Sequence, residues 1–304
     1  MANLKNIRDR INSINNTQKI TRAMKMVAAA KVKKSENRVK ASRPFASELG
    51  DMLQKLLGSL DSMLENDFDG QVALENYPAL LKKRDIKSVG ILVITSNKGL
   101  AGAFNANVVR HTLKKIEAYN KEGITCKLFV IGMKGSNAIK RAPSKLDFEI
   151  VSSYTKFAQE PTSASATIVA EDIAKAFVDN KIDSIEIVTT KFRNMMSYSV
   201  ENWNVLPLQP KEKGHEYIDL EMEFEPNLQS ILQKMVPLYI ANTIFQALLE
   251  STASELASRM TAMSAACNNA EEMIRTLTID YNKARQTAIT QEITEVVSGA
   301  DSLK

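Results

Sequence analysis

The stretch "ASELASRMTAMSAACNNAEEMIRTLTIDYNKARQTAI", residues 253–289, decides the architecture. Steps of four and three from Leu249 reach Ala253, Leu256, Met260, Met263, Cys267, Ala270, Ile274, Leu277, Tyr281, Ala284 and Ala288. Every one is apolar or amphipathic, the heptad seam of a helix that lies along a partner helix. Beyond Ala288 the spacing moves by one residue, to Ile289, Ile293 and Val296. Residues 238–298 hold neither glycine nor proline, so nothing there stops a helix. At 1.5 Å per residue they make a rod on the order of 90 Å, too long for a compact domain of this mass, and the rod is expected to project.

The other end of the chain supplies the partner. Residues 1–43 also lack glycine and proline. Leu4, Ile7, Ile11 and Ile14 form one seam, and after a slip Ile20, Met24 and Val27, with Ala28 on the same face, resume it. Pro44 is expected to bend or interrupt this helix before a second apolar set, Leu49, Leu53, Leu56 and Leu60. The two termini therefore read as an intramolecular antiparallel coiled coil: residues 1–60 and 226–304 are the shaft, and 61–225 a globular domain.

Charge is distributed unevenly. Twelve Lys or Arg in residues 1–43 face only Asp9 and Glu36, a local charge of +10, so the remainder carries −5 of the total +5. A basic arm on a mildly acidic body suits an acidic partner: nucleic acid, anionic lipid or protein. Two cysteines far apart in sequence, Cys126 and Cys267, fit buried thiols in a reducing compartment. The N-terminus "MANLKNIRDRI" has no apolar signal core, and no uncharged apolar run of about 18 residues occurs, so any membrane association is expected through partners.

Between the termini, strand and helix patterns alternate. "SVGILVITS" (88–96) reads as a buried parallel strand, followed by the turn "NKGLAGAFN" and a helix over 106–119. "CKLFVIG" (126–132) is a second strand, "MKGSNAIKR" a short helix and "LDFEIVSS" a third strand. A helix over 163–179 leads to "IDSIEIVTTKF" (182–192), then to "MSYSVENWNVLPL" and "EYIDLEMEFEP". The fold class is α/β, a doubly wound, mostly parallel sheet with one or two antiparallel strands at its edge.

No chemistry is legible in that domain. Neither phosphate-binding glycine pattern, G-x-x-x-x-G-K-[ST] or G-x-G-x-x-G, is present. Gly99 and Gly102 read as a tight turn with close packing. His111 and His215 have no metal-ligand spacing to cysteine or carboxylate. No catalytic residue, cofactor or metal site is expected. Two readings remain: a scaffolding rod inserted into an oligomeric partner, or a basic coiled-coil protein that binds nucleic acid or an anionic membrane surface. The far end of the rod, "YNKARQTAITQEITEVVSGADSL", discriminates. It is apolar and holds Glu292, Glu295 and Asp301, whereas a tip that binds polyanions is basic. An apolar tip needs a sleeve of protein.

Two long segments, "IRDRINSINNTQKITRAMKMVAAAK" and "ASRMTAMSAACNNA…LTIDYNKARQTAITQEITEVVSGA", resemble the gamma subunits of bacterial F-type ATP synthases. "SNKGLAGAFN" is a weaker match: Asn97-Lys98 stands where the family usually has Asp-Arg, and Ala101 replaces a common Cys or Ser. The resemblance implies a non-catalytic rotor shaft in a ring of alternating alpha and beta subunits, its globular foot against epsilon and the c-ring. It implies one copy per complex, peripheral on the cytoplasmic face of the bacterial inner membrane. Motif position places Met24, Lys25, Arg259, Arg285, Gln286 and Thr290 at beta subunits, and Phe224 and Glu225 at the c-ring and epsilon. The basic arm then faces acidic levers of the beta subunits. The regulatory cysteine pair of chloroplast-type relatives is absent, so thiol control is not expected.

Overall fold

The computed structural model describes residues 4–66, 80, 84–157, 160–208, 225 and 228–301. Two compact units divide the chain, Lys31–Ser258 on one hand and Met1–Ala30 with Arg259–Lys304 on the other. The long helices α1 (Leu4–Asn66) and α5 (Leu228–Asp301) contribute to both.

The larger unit is built on a mixed five-stranded sheet of order β3-β2-β1-β4-β5. Its strands are β1 (Ser88–Ile94), β2 (Thr125–Ile131), β3 (Glu149–Tyr154), β4 (Ser184–Asn194) and β5 (Ser197–Leu206). The first four run parallel, and β5 closes one edge antiparallel to β4. In β1, every residue from Val89 to Ile94 is buried, because helices cover both faces. On one face α2 (Phe104–Lys121) and α3 (Met133–Ile139) enclose Val89, Ile91, Val93, Leu128 and Val130. On the other, α4 (Ser163–Val178), the middle of α1 and the start of α5 pack Leu53, Leu57, Ile173, Phe177, Leu232, Val236 and Ile240 against Leu92, Ile94, Phe129 and Ile187. Helix α4 starts at a capping box, with the Thr162 side chain accepting from Ser165 N–H and the Ser165 hydroxyl accepting from Thr162 N–H. The segment "EYIDLEMEFEP", read as an edge strand, falls almost wholly outside the described residues.

Two expectations for α1 are corrected. The helix is not interrupted at Pro44 but runs through it. Pro44 and Lys40 are both exposed. Burial of Val39, Leu49 and Leu53 outweighs the proline cost, typically about 3 kcal/mol. The seam also does not slip. Ile20 and Val27 are 61% and 56% exposed, while Gln18, Thr21 and Lys25 are half-buried and Ala28 is buried. The inward line is thus Leu4, Ile7, Ile11, Ile14, Gln18, Thr21, Lys25, Ala28, Val32, an unbroken four-three alternation. Polar residues hold seam positions because the heptad geometry, not the residue type, sets which face turns inward.

In the smaller unit the α5 face follows the sequence reading. Met263, Cys267 and Ala270 are buried, and Ile274, Leu277, Tyr281, Ala284 and Ala288 half-buried. Past Ala288, Ile289, Ile293, Val296 and Val297 of the shifted register are exposed among the described residues. Both cysteines are free and buried. Burial, with Asp147 and Glu186 nearby, pushes the Cys126 thiol up to about 11. Against an ordinary thiol near 8.5 its thiolate is then scarcer by roughly 300-fold at neutral pH. Cys126 is expected to react with N-ethylmaleimide at least that much slower in the native chain than in urea. Mass spectrometry of its tryptic peptide over a labelling time course reads the difference.

Candidate functional site

The order of the sheet predicts where a ligand would go. Chain direction reverses at β1, with β2 and β3 on one side and β4 and β5 on the other. Doubly wound domains bind ligands at such a switch point, beyond the carboxyl ends of the strands. Here that position is filled by the chain itself, because α5 lies across it. Thr189 Oγ1 donates to the Ala247 carbonyl at 3.2 Å, and Ser258 Oγ donates to the Ala101 carbonyl at 2.6 Å. Between Ile94, Thr95, Ser96 and Phe104 on one side and Leu248, Ser251, Thr252 and Glu255 on the other, only about 10 Å³ remains, room for one water.

A charged clamp fixes the helices nearby. Glu250, 2% exposed at its side chain, accepts from Arg43 Nε at 2.8 Å and Arg43 Nη2 at 3.0 Å. It also accepts from the Phe192 N–H at 2.8 Å and from Gln246 Nε2 at 3.1 Å. Arg43 Nη2 donates further to the Phe192 carbonyl at 3.0 Å, and Ser42 Oγ donates to Gln246 Oε1. One carboxylate thereby ties α1, β4 and α5 together. The sequence reading missed it. The available signal was an acid four residues after Gln246, inside an otherwise apolar run.

The turn after β1 is held from several sides. Asn105 Oδ1 accepts from Ser96 N–H at 2.9 Å, and Asn97 Oδ1 accepts from Met133 N–H at 2.9 Å. Asn97 Nδ2 also donates to the Thr155 carbonyl. An aspartate at position 97 could accept but not donate, so the amide here bridges two elements that a carboxylate would not. Gly102 does take a positive φ of 52° in the turn, whereas Gly99 has no positive φ and a Cβ added there would make ordinary contact with the Lys134 side chain.

Among the described residues no group of three His, Cys, Asp or Glu could hold a metal, and no helix is long and apolar enough to cross a membrane. The family model for ATP synthase matches residues 3–303. The ATP synthase gamma chain of Nostoc punctiforme is 40% identical over the whole of both chains.

The chain belongs to the ATP synthase gamma chain family.

The gamma chain of Gloeothece citriformis is 39% identical, again across both full lengths. Among solved structures, a chain from the central stalk and c-ring of the Tetrahymena thermophila mitochondrial ATP synthase is 30% identical. That match covers 81% of this chain and 99% of that one, with a TM-score of 0.57. A chain of the Euglena gracilis mitochondrial ATP synthase shares the fold at TM-score 0.68 and 16% identity, covering 99% and 94%. A gamma chain is a structural subunit of the membrane-associated F1 sector, and catalysis resides in the beta subunits. The nucleic-acid or lipid reading of the basic arm finds no support in these relatives.

For a gamma chain, the residues singled out by sequence lie as follows. Met24, Lys25 and Arg259 are half-buried within the smaller unit, with Lys25 on the inward line itself. Arg285, Gln286 and Thr290 are exposed on α5, where Thr290 Oγ1 donates to the Gln286 carbonyl at 2.9 Å. Glu225 is exposed, and Phe224 lies outside the described residues.

Proposed function

We propose that this chain is the central rotor shaft of an F-type ATP synthase, coupling rotation of a membrane c-ring to conformational cycling of catalytic beta subunits. The observation that carries this reading is the end of α5. Its inward seam stops at Ala288, and Ile289, Ile293, Val296 and Val297 then stand exposed among the described residues. Such a surface needs an enclosing sleeve, and a ring of alternating alpha and beta subunits supplies one. In this reading residues 1–60 and 226–304 pair as an antiparallel coiled coil, and 61–225 form the foot, facing epsilon and the c-ring through Phe224 and Glu225. The assembly sits on the cytoplasmic face of the bacterial inner membrane.

The shaft performs no chemistry. Its faces differ around the axis, so each angle favours a different conformation in each beta subunit, an imposed shift among bistable sites. Met24, Lys25, Arg259, Arg285, Gln286 and Thr290 are the contacts through which it presses on them.

Met24→Lys tests the contact. A second cation beside Lys25 forms a new charge-assisted hydrogen bond to a beta carboxylate, of about 1.5 to 3 kcal/mol. A shaft that must visit every angle is hindered when one becomes a well. The complex is expected to assemble and hydrolyse ATP but to pump fewer protons per ATP, more markedly at low temperature. The readout is the pumping-to-hydrolysis ratio in membrane vesicles. An unchanged ratio at every temperature refutes the contact, and loss of assembly makes Met24 a packing residue.

A further inference from the structure

On the α2 face of the larger unit, opposite α5, an open groove of about 1010 Å³ runs between α2, α3 and the segment before β3. Five cations and one acid line it, and the acid, Glu117, is paired with Lys121 at 3.0 Å. Arg110, Lys114, Lys134 and Lys145 are exposed and have no ion pair described among these residues. The floor between them is aliphatic, set by Val109, Leu113 and Leu146. Asn120, which also lines the groove, has a buried Nδ2 with no acceptor among the described residues. None of the contact residues named for the rotor reading lines this surface.

We propose that the groove is a docking site for an acidic amphipathic helix of a partner protein. The charge pattern selects the occupant. Cations on both walls above an apolar floor complement a helix with aliphatic residues on one face and carboxylates flanking them. A bilayer surface fits poorly, because headgroups meet a convex or flat basic face whereas this floor is recessed. Single-stranded nucleic acid fits poorly too, since none of the lining residues is aromatic and bases are held by stacking.

The test uses the assembled complex, so that failure here is separable from failure of the rotor reading, which is judged by the complex's own ATP hydrolysis. With p-benzoylphenylalanine replacing Ala106, an exposed lining residue, ultraviolet light is expected to cross-link the chain to a partner segment. Peptide mapping is expected to find acids at helical spacing around aliphatic residues in that segment. The double substitution Lys114→Glu/Lys134→Glu is expected to lower the yield at least tenfold while hydrolysis is unchanged. Lys140→Glu, on a residue outside the groove lining, is expected to leave the yield as it was. Absence of a protein cross-link, a cross-link to lipid, nucleic acid or a segment without acids, or a yield indifferent to charge reversal overturns the proposal.

Discussion

Glu250→Ala is expected to destabilise the chain by about 2 to 4 kcal/mol, through loss of a buried acceptor more than through loss of an ion pair. The carboxylate receives four hydrogen bonds, two from Arg43 and one each from Phe192 N–H and Gln246. Arg43 is 42% exposed at its side chain and recovers water, so the Coulombic part is small. The Phe192 amide has no such recourse, because that residue is 4% exposed. Glu250→Gln keeps an acceptor for the amide and is expected to lose roughly half as much. Trp203, the only tryptophan, packs against the core of the same unit, and its fluorescence in a urea titration of the dilute chain follows the loss. A midpoint equal to wild type in the alanine variant would falsify the clamp.

Gly132→Ala is expected to cost more, above about 4 kcal/mol, and to leave little folded chain. Gly132 holds φ at 99°, and an added Cβ would stand 2.2 Å from the Thr95 carbonyl oxygen and 2.6 Å from Thr95 Oγ1. Neither atom can withdraw. Thr95 Oγ1 donates to the Ile131 carbonyl at 2.8 Å and accepts from Gly135 N–H at 3.0 Å, which fastens the start of α3 to the end of β1. Gly123→Ala separates the two contributions. It also has a positive φ, 75°, but meets nothing within 4 Å, so only the conformational cost of about 1 to 2 kcal/mol is expected there. Equal urea midpoints for the two variants would refute the steric argument.

The parts of the fold that were legible in the sequence are those governed by period. The alternation of buried strands with helices gave the sheet its class, and the apolar line from Leu249 to Ala288 matched the inward face of α5. The α1 slip was misread because hydrophobicity stood in for geometry. Ile20 and Val27 are the more apolar residues, yet the line passes through Gln18, Thr21 and Lys25. The expected interruption at Pro44 fails for a related reason: tertiary burial on either side overrides a local breaker. The clamp at Glu250 and the groove beside α2 depend on residues far apart in the chain, Arg43 with Glu250 and Arg110 with Lys145, and no spacing rule joins them. The exposed contact residues of α5 were reached by resemblance alone, since an outward Arg285 or Gln286 has no periodic signal.

The helix that fills the switch point of the sheet also narrows what natural selection can do with this domain. In a free-standing relative of the architecture, a lineage can enlarge the crevice one side chain at a time and acquire a nucleotide or metabolite sensor. Here each such step would remove a contact made by Ala247, Leu248 or Ser251, and so loosen the seating of the longest helix in the molecule. New sensory inputs are therefore expected to arise as insertions in surface loops or as partners on the outer faces. Sequence drift across lineages should be slowest around Thr95, Thr189 and Glu250, and faster at exposed positions that line neither this junction nor the groove beside α2.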